Sequence, residues 1–203
     1  MVRRRRAPRL SPPERRARLL HAAVRVLLRR GVHATHVGHV VREAGVSRGT
    51  FYKHFDSKRQ LVGVAAREVL DRVLPRVPEP PALERRADLE AALAAMHTHV
   101  LRAVAAEPAA ARLVFLGGAA AEPAAARWIA SHEQAWRHLV ATLLRRARAA
   151  GFLREGVEPS LAAAVIVGSV LHVLRTELLR RPDADPDALA AALARLHADA
   201  VAR

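Results

Sequence analysis

The chain has 203 residues, 51% of them hydrophobic but only 3% aromatic, enough for one or two domains with a proper core. Its formal net charge of +15 calls for a polyanionic partner, and the absence of cysteine excludes disulfides and thiol chemistry. Twelve prolines punctuate alanine- and leucine-rich runs, with almost no Val/Ile/Thr alternation, so the composition predicts an all-α protein without sheet.

The charge is concentrated. Residues 1–60 hold sixteen Lys or Arg against three acids, a balance of +13, whereas residues 61–203 hold eighteen against sixteen, a balance of +2. The polyanion-binding surface therefore belongs in the amino-terminal third. Residues 1–10 read as a basic arm, disordered on its own. Its Arg3 to Arg6 serve either to reach phosphates and the minor groove or as a solubilising tail. Ala7 to Arg18 offers no apolar core for export. The longest uncharged apolar run, Leu161 to Leu174, is about 14 residues, shorter than a bilayer requires. A cytoplasmic protein without a membrane partner is expected.

Ser11-Pro12-Pro13-Glu14 is a capping box with proline in the first turn. It starts a helix with Leu20, Val24, Leu27 and Leu28 on its inner face, ended by Gly31. Thr35 is expected to cap the next helix, its hydroxyl or nearby N–H groups turned toward a phosphate. There Val37, Val40 and Val41 recur at helical spacing until Gly45, where the chain needs a left-handed turn. Ser47 then caps a second short helical run ending at Phe55. Phe51 and Phe55 are four apart and face inward, leaving Arg48, Gly49, Thr50, Tyr52, Lys53 and His54 outward. Every side chain on that outer face can donate a hydrogen bond, none is acidic, and Gly49 lets the backbone approach closely. Such a face suits a DNA major groove.

The run Ala44 to Lys58, AGVSRGTFYKHFDSK, closely resembles the signature of tetracycline-repressor-like (TetR family) transcription regulators, and the resemblance covers roughly residues 12–65. It implies that Arg48, Gly49 and Thr50 face base edges, that Tyr52, His54 and Lys58 hold phosphates, and that Lys53 does either. With Thr35, His36 and Ser47 these make up the expected DNA-binding set. Two positions depart from the pattern. Gly38 stands where relatives have a stronger helix former, costing about 1 kcal/mol relative to Ala, and Val41 stands in place of a small alanine.

The resemblance also implies an architecture of about nine helices. A three-helix helix-turn-helix DNA-binding domain over residues 11–58 precedes a helical effector-binding and dimerisation domain over residues 59–203. Asp56-Ser57-Lys58 opens a linking helix through Leu61, Val62, Ala65, Val69 and Val73, stopped by Pro75, Pro78, Pro80 and Pro81. Further helices are expected at about 83–106, 108–118, 122–150, 158–180 and 185–202, each bounded by Pro or Gly.

Trp128, His132, Trp136, Leu139 and Leu143 form one stripe of a helix, read either as core or as a wall of a ligand cavity. On the second reading Met96, His99, Phe115, Trp136 and His172 are the candidate ligand contacts, and the effector is a hydrophobic or aromatic small molecule. His97 and His99 stand about 200° apart on a helix and cannot share an ion, so neither metal nor cofactor is expected. Val165, Gly168 and Ser169 share one side of an apolar helix. With Leu189, Leu193 and Leu196 of the last helix they supply half of a four-helix bundle, which by resemblance is the homodimer interface.

No nucleophile elbow, phosphate-cradling loop or buried carboxylate pair is present, so an enzyme is not expected. The residues and the resemblance together predict a ligand-responsive repressor that binds a partly palindromic double-stranded operator as a dimer. A non-specific architectural DNA-binding protein and a small-molecule-binding module with little DNA activity are the alternatives.

Overall fold

A computed structural model describes residues 11–73, 76–79, 82–116 and 123–203. The arginine arm and Pro75, Pro80 and Pro81 lie outside these described residues. Nine α-helices are found among them, with no strand; Leu153 and Ala202 form an isolated bridge.

Helix α1 (Pro12–Arg30) starts on the expected capping box: the Ser11 hydroxyl accepts from the Glu14 N–H, and the Glu14 carboxylate accepts from the Ser11 N–H at 2.6 Å. It ends at Gly31, whose N–H donates to the Leu27 carbonyl. Helix α2 (Val37–Ala44) is capped one residue later than expected, at His36 rather than Thr35. Thr35 is 1% exposed and its hydroxyl donates to the Gly31 carbonyl at 2.7 Å, so that group closes the α1–α2 turn and does not face outward. The His36 N–H donates instead to the His39 imidazole at 3.3 Å.

Gly45 then adopts φ 63°, the left-handed turn, and α3 (Arg48–Tyr52) follows. This helix is shorter than the run to Phe55, because Lys53 and His54 already turn toward α4; Phe55 is nevertheless buried beside Phe51, ring centroids 5.8 Å apart. Val41, for all its bulk, is accommodated in the core.

Helix α4 (Lys58–Val73) is shared by both halves of the molecule. It begins on Ser57, whose hydroxyl accepts from the Gln60 N–H at 3.1 Å. Its buried residues, from Leu61 and Val62 to Val69 and Leu70, pack against α1 and against α6 and α7. Burial of apolar surface on both sides is what fixes this helix, since its own sequence is only weakly amphipathic.

The body comprises α5 (Arg86–Ala106), α6 (Pro108–Phe115), α7 (Pro123–Ala149), α8 (Pro159–Val173) and α9 (Pro186–Val201). Each of the last four starts on proline, where a missing N–H costs nothing. Helix α5 packs along α9, and α7 packs along α8. Helix α8 runs on as a π-helical turn, Leu174–Leu178, making the apolar stretch Pro159–Leu178 20 residues long. That exceeds the uncharged run read from sequence and by length and composition alone reaches across a bilayer. Here its inner face, including Ala163, Ile166, Val167 and Val170, is packed inside the body.

Candidate nucleic-acid interface and internal cavity

Helix α3 owes its existence to its two ends. The Ser47 hydroxyl accepts from the Thr50 N–H at 3.1 Å and lies 3.0 Å from the Thr50 hydroxyl. At the other end Phe51 is fully buried and anchors the helix on the core. Five residues do not hold a helix in water; here the cap and the buried ring do so. Arg48, Gly49, Tyr52 and Lys53 are exposed, Tyr52 by 58%, while Thr50, His54 and Lys58 are half-buried and His36 is exposed on α2.

Charge on this face is arranged by what is removed from it. Glu43, the acid of α2, is turned away to α1, where it accepts from Arg25 at 2.8 Å and Arg29 at 2.5 Å. Those hydrogen bonds hold its carboxyl below the usual range. Desolvation, followed by the charges of Arg30, His36 and Arg42, lowers the His39 pKa as well. The Arg16 guanidinium lies 5.2 Å above the Phe55 ring, adding a cation beside the buried end of α3. Gly38 permits a close approach: a Cβ there would meet the Arg48 guanidinium at 3.5 Å. Arg48 thus lies across the start of α2.

In the body, α7 presents Ile129, His132, Trp136 and Leu139 to a cavity of about 680 Å³. Val100 of α5, Phe115 of α6 and Leu171 of α8 close other sides, with Arg76 and Val77 from the α4–α5 connection. The stripe read from sequence is both core and wall. Leu143 is fully buried and Trp128 stacks on His132 with ring centroids 3.4 Å apart, while His132, Trp136 and Leu139 line the space. Of the five candidate contacts, Phe115 and Trp136 line it. Met96 is buried in the core, His99 reaches the Arg76 carbonyl at 3.1 Å and His172 is on the exposed side of α8; none of these three lines the cavity.

A feature that sequence spacing missed lies behind Trp136. His97 on α5 and His197 on α9, a hundred residues apart, form a hydrogen bond of 3.0 Å, and His197 bonds the Ser169 hydroxyl of α8 at 2.8 Å. His97 stands 6.4 Å from the Trp136 ring in an edge-on arrangement. Burial, reinforced by His197, pushes the His97 pKa down to about 3, and burial also lowers that of His197. The available signal was the position of His97 on the apolar stripe Leu89, Leu93, Val100 of α5. Among the described residues no group of three His, Asp or Glu side chains comes together to hold a metal ion.

An apolar surface remains uncovered on α8 and α9. Leu161, Val165 and Leu196 are exposed by 66%, 62% and 63%, and Gly168 is open beside them. Ser169 and Leu189 are half-buried, whereas Leu193 is buried inside the body.

Residues 19–65 match the family described as bacterial regulatory proteins, tetR family. Over 79 residues the chain is 39% identical to the HTH-type transcriptional repressor KstR2 of Rhodococcus jostii, a stretch covering 38% of this chain and 39% of that protein. Over 57 residues it is 46% identical to the HTH-type transcriptional activator FasR of Mycolicibacterium smegmatis, covering 28% and 26% respectively. The match thus spans well under half the length of these curated relatives. The fold is shared more widely. NalD of Pseudomonas aeruginosa, the secondary repressor of the MexAB-OprM multidrug efflux pump, superimposes with a TM-score of 0.70 at 23% identity, over 95% of this chain and 99% of that one. FadR of Bacillus subtilis, in a structure with stearoyl-CoA, gives 0.66 at 20% identity, over 89% and 96%.

Proposed function

From the match of residues 19–65 to the tetR family of bacterial regulatory proteins, we propose that the chain is a transcription regulator of that kind and not an enzyme, a ligand-responsive repressor binding a partly palindromic operator as a homodimer. The observation that carries this reading is α3 itself: a capped, anchored helix whose outer face offers Arg48, Thr50, Tyr52, Lys53 and His54 with no acid among them. Donors of this kind read base-edge acceptors and hold phosphates, and Arg48 pairs bidentately with a guanine. Lys58, at the start of α4, adds a phosphate contact, and His36 and Ser47, exposed at the starts of α2 and α3, contribute beside it, whereas Thr35 closes the α1–α2 turn from inside.

Dimerisation is proposed through the uncovered apolar surface of α8 and α9, with Leu161, Val165, Gly168 and Leu196 at its centre and Ser169 and Leu189 at its edge. Leu193 supports that surface from beneath. Self-association of this face pairs four helices about a two-fold axis, so that two copies of α3 reach major grooves about 34–36 Å apart. The cavity is proposed as the effector site. Its walls come from the helices that hold α4, so a ligand favouring one arrangement of α7 shifts α4 and with it the spacing of the heads. The shift is limited by the difference in its affinity for the two arrangements.

A footprint on DNA flanking the protein's own gene tests the reading. Protection of two half-sites one helical turn apart, competed poorly by a scrambled duplex, is expected. Equal binding to both duplexes supports the architectural alternative instead, and failure to bind either at physiological salt supports the small-molecule module.

A further inference from the structure

Helix α2 carries a glycine in its first turn. His36 is the N-cap, so Gly38 is the second helical residue, and in a helix of eight residues its backbone freedom works against folding. No turn requires it, since Gly38 is not among the glycines of positive φ. What its missing side chain leaves room for is specific. Among the described residues, and apart from its own helix backbone and chain neighbours, a Cβ there would have one atom within 4 Å, a guanidinium nitrogen of Arg48 at 3.5 Å.

Arg48 has little else to fix it. It is the first residue of α3 and exposed, and among the described residues no acid pairs with it; Glu43, the acid of α2, is bound to Arg25 and Arg29. His36 and His39 at the start of α2 offer no negative charge, and both helix starts are positive ends. An unrestrained arginine samples many rotamers. The bare backbone at Gly38 is a flat seat for the guanidinium and favours rotamers that run from α3 toward α2. Direction matters because a guanine is read only when the planar fork meets both of its acceptors.

We propose that Gly38 is a positioning residue for base reading: its missing side chain seats the Arg48 guanidinium against α2 and so selects which base pair Arg48 contacts. This rests on the DNA-reading role of Arg48 and adds a residue that acts only through it.

Selection by the full chain from duplexes randomised across a half-site measures preference position by position, with no operator known beforehand. The wild-type protein should favour one base pair about tenfold at the position that Arg48→Ala flattens. Gly38→Ala should keep that preference, because its Cβ meets the guanidinium at an ordinary contact distance. Gly38→Ile has two heavy atoms on Cβ that cannot both turn aside. It should reduce the preference to within about twofold or move it to a neighbouring position, leaving the other positions unchanged. Against the selected duplex Gly38→Ile should lower affinity about tenfold, but by less than about twofold in the Arg48→Ala background. A preference that Gly38→Ile keeps in full overturns the proposal, as does an equal loss of affinity in both backgrounds. Relaxation at every position read by α3 overturns it too, since that marks a tilted helix. If Gly38→Ile does not fold, the free wild-type protein decides: a nuclear Overhauser contact between the Arg48 side chain and the Gly38 α protons is expected, and its absence removes the seat. Should the wild-type protein prefer no base pair, or Arg48→Ala leave every preference intact, the reading role of Arg48 falls and the proposal with it. Should Arg48→Ala flatten a position that Gly38→Ile does not, the proposal alone falls.

Discussion

Among the groups through which acid should weaken this protein, the His97 imidazole is the most strongly displaced. In the unfolded chain His97 titrates near 6.5, whereas in the fold its burial, reinforced by His197, holds it at about 3. A group whose folded pKa is depressed contributes its full stability above the unfolded value and loses it as pH falls toward the folded one. The window is therefore pH 6.5 down to 3. Linkage at about 1.4 kcal/mol per unit gives a loss of about 2 kcal/mol between pH 7 and pH 5 from this side chain. His97→Gln retains an N–H donor for His197 and does not titrate. Urea unfolding of both proteins at one fixed concentration should therefore show a stability difference that moves by about 2 kcal/mol in the variant's favour over that interval. A difference that stays constant would mean His97 takes up protons alike in both states, and the buried neutral ring derived above would be wrong.

Arg48→Ala should relax base preference by about 1–3 kcal/mol at one operator position, whereas Lys58→Ala should weaken all duplexes alike and flatten the salt dependence; anisotropy titrations on matched and mismatched duplexes distinguish them. Gly38→Ala should stabilise the fold by up to about 1 kcal/mol, seen as a raised thermal midpoint, because the added Cβ meets Arg48 at an ordinary 3.5 Å. Gly45→Ala should destabilise it by about 1 kcal/mol or more, since φ is +63° and the Cβ would come 3.2 Å from Arg18. Val165→Glu should leave helicity intact and convert the proposed dimer to a monomer in sedimentation, since Val165 is 62% exposed in the single chain.

The helix-turn-helix was legible because its signals are local: Gly45, the Ser47 cap and the Phe51–Phe55 pair lie within eleven residues. The body helices were legible from their prolines, with bounds within a few residues of those observed. The cap of α2 was misread because Thr35 and His36 both suit the position, and only folding brings the Gly31 carbonyl within reach of the Thr35 hydroxyl. Periodicity identified the α7 stripe but not how α5 and α8 are rotated against it, so Met96, His99 and His172 were offered to a cavity they do not line. The His97–His197 bond joins the middle of α5 to the end of α9. No spacing rule reaches across a hundred residues, and the attention given to His97 as a metal ligand concealed its position on an apolar face.

The double duty of α4 limits how the protein can be rebuilt. A chimera joined at residue 58 would set a foreign reading head on a helix whose inner seam was cut for α1; one joined after Val73 would instead mismatch α6 and α7. On the proposed function, re-addressing the protein to another promoter thus calls for resurfacing α3 in place, leaving the keel that both halves are built on untouched.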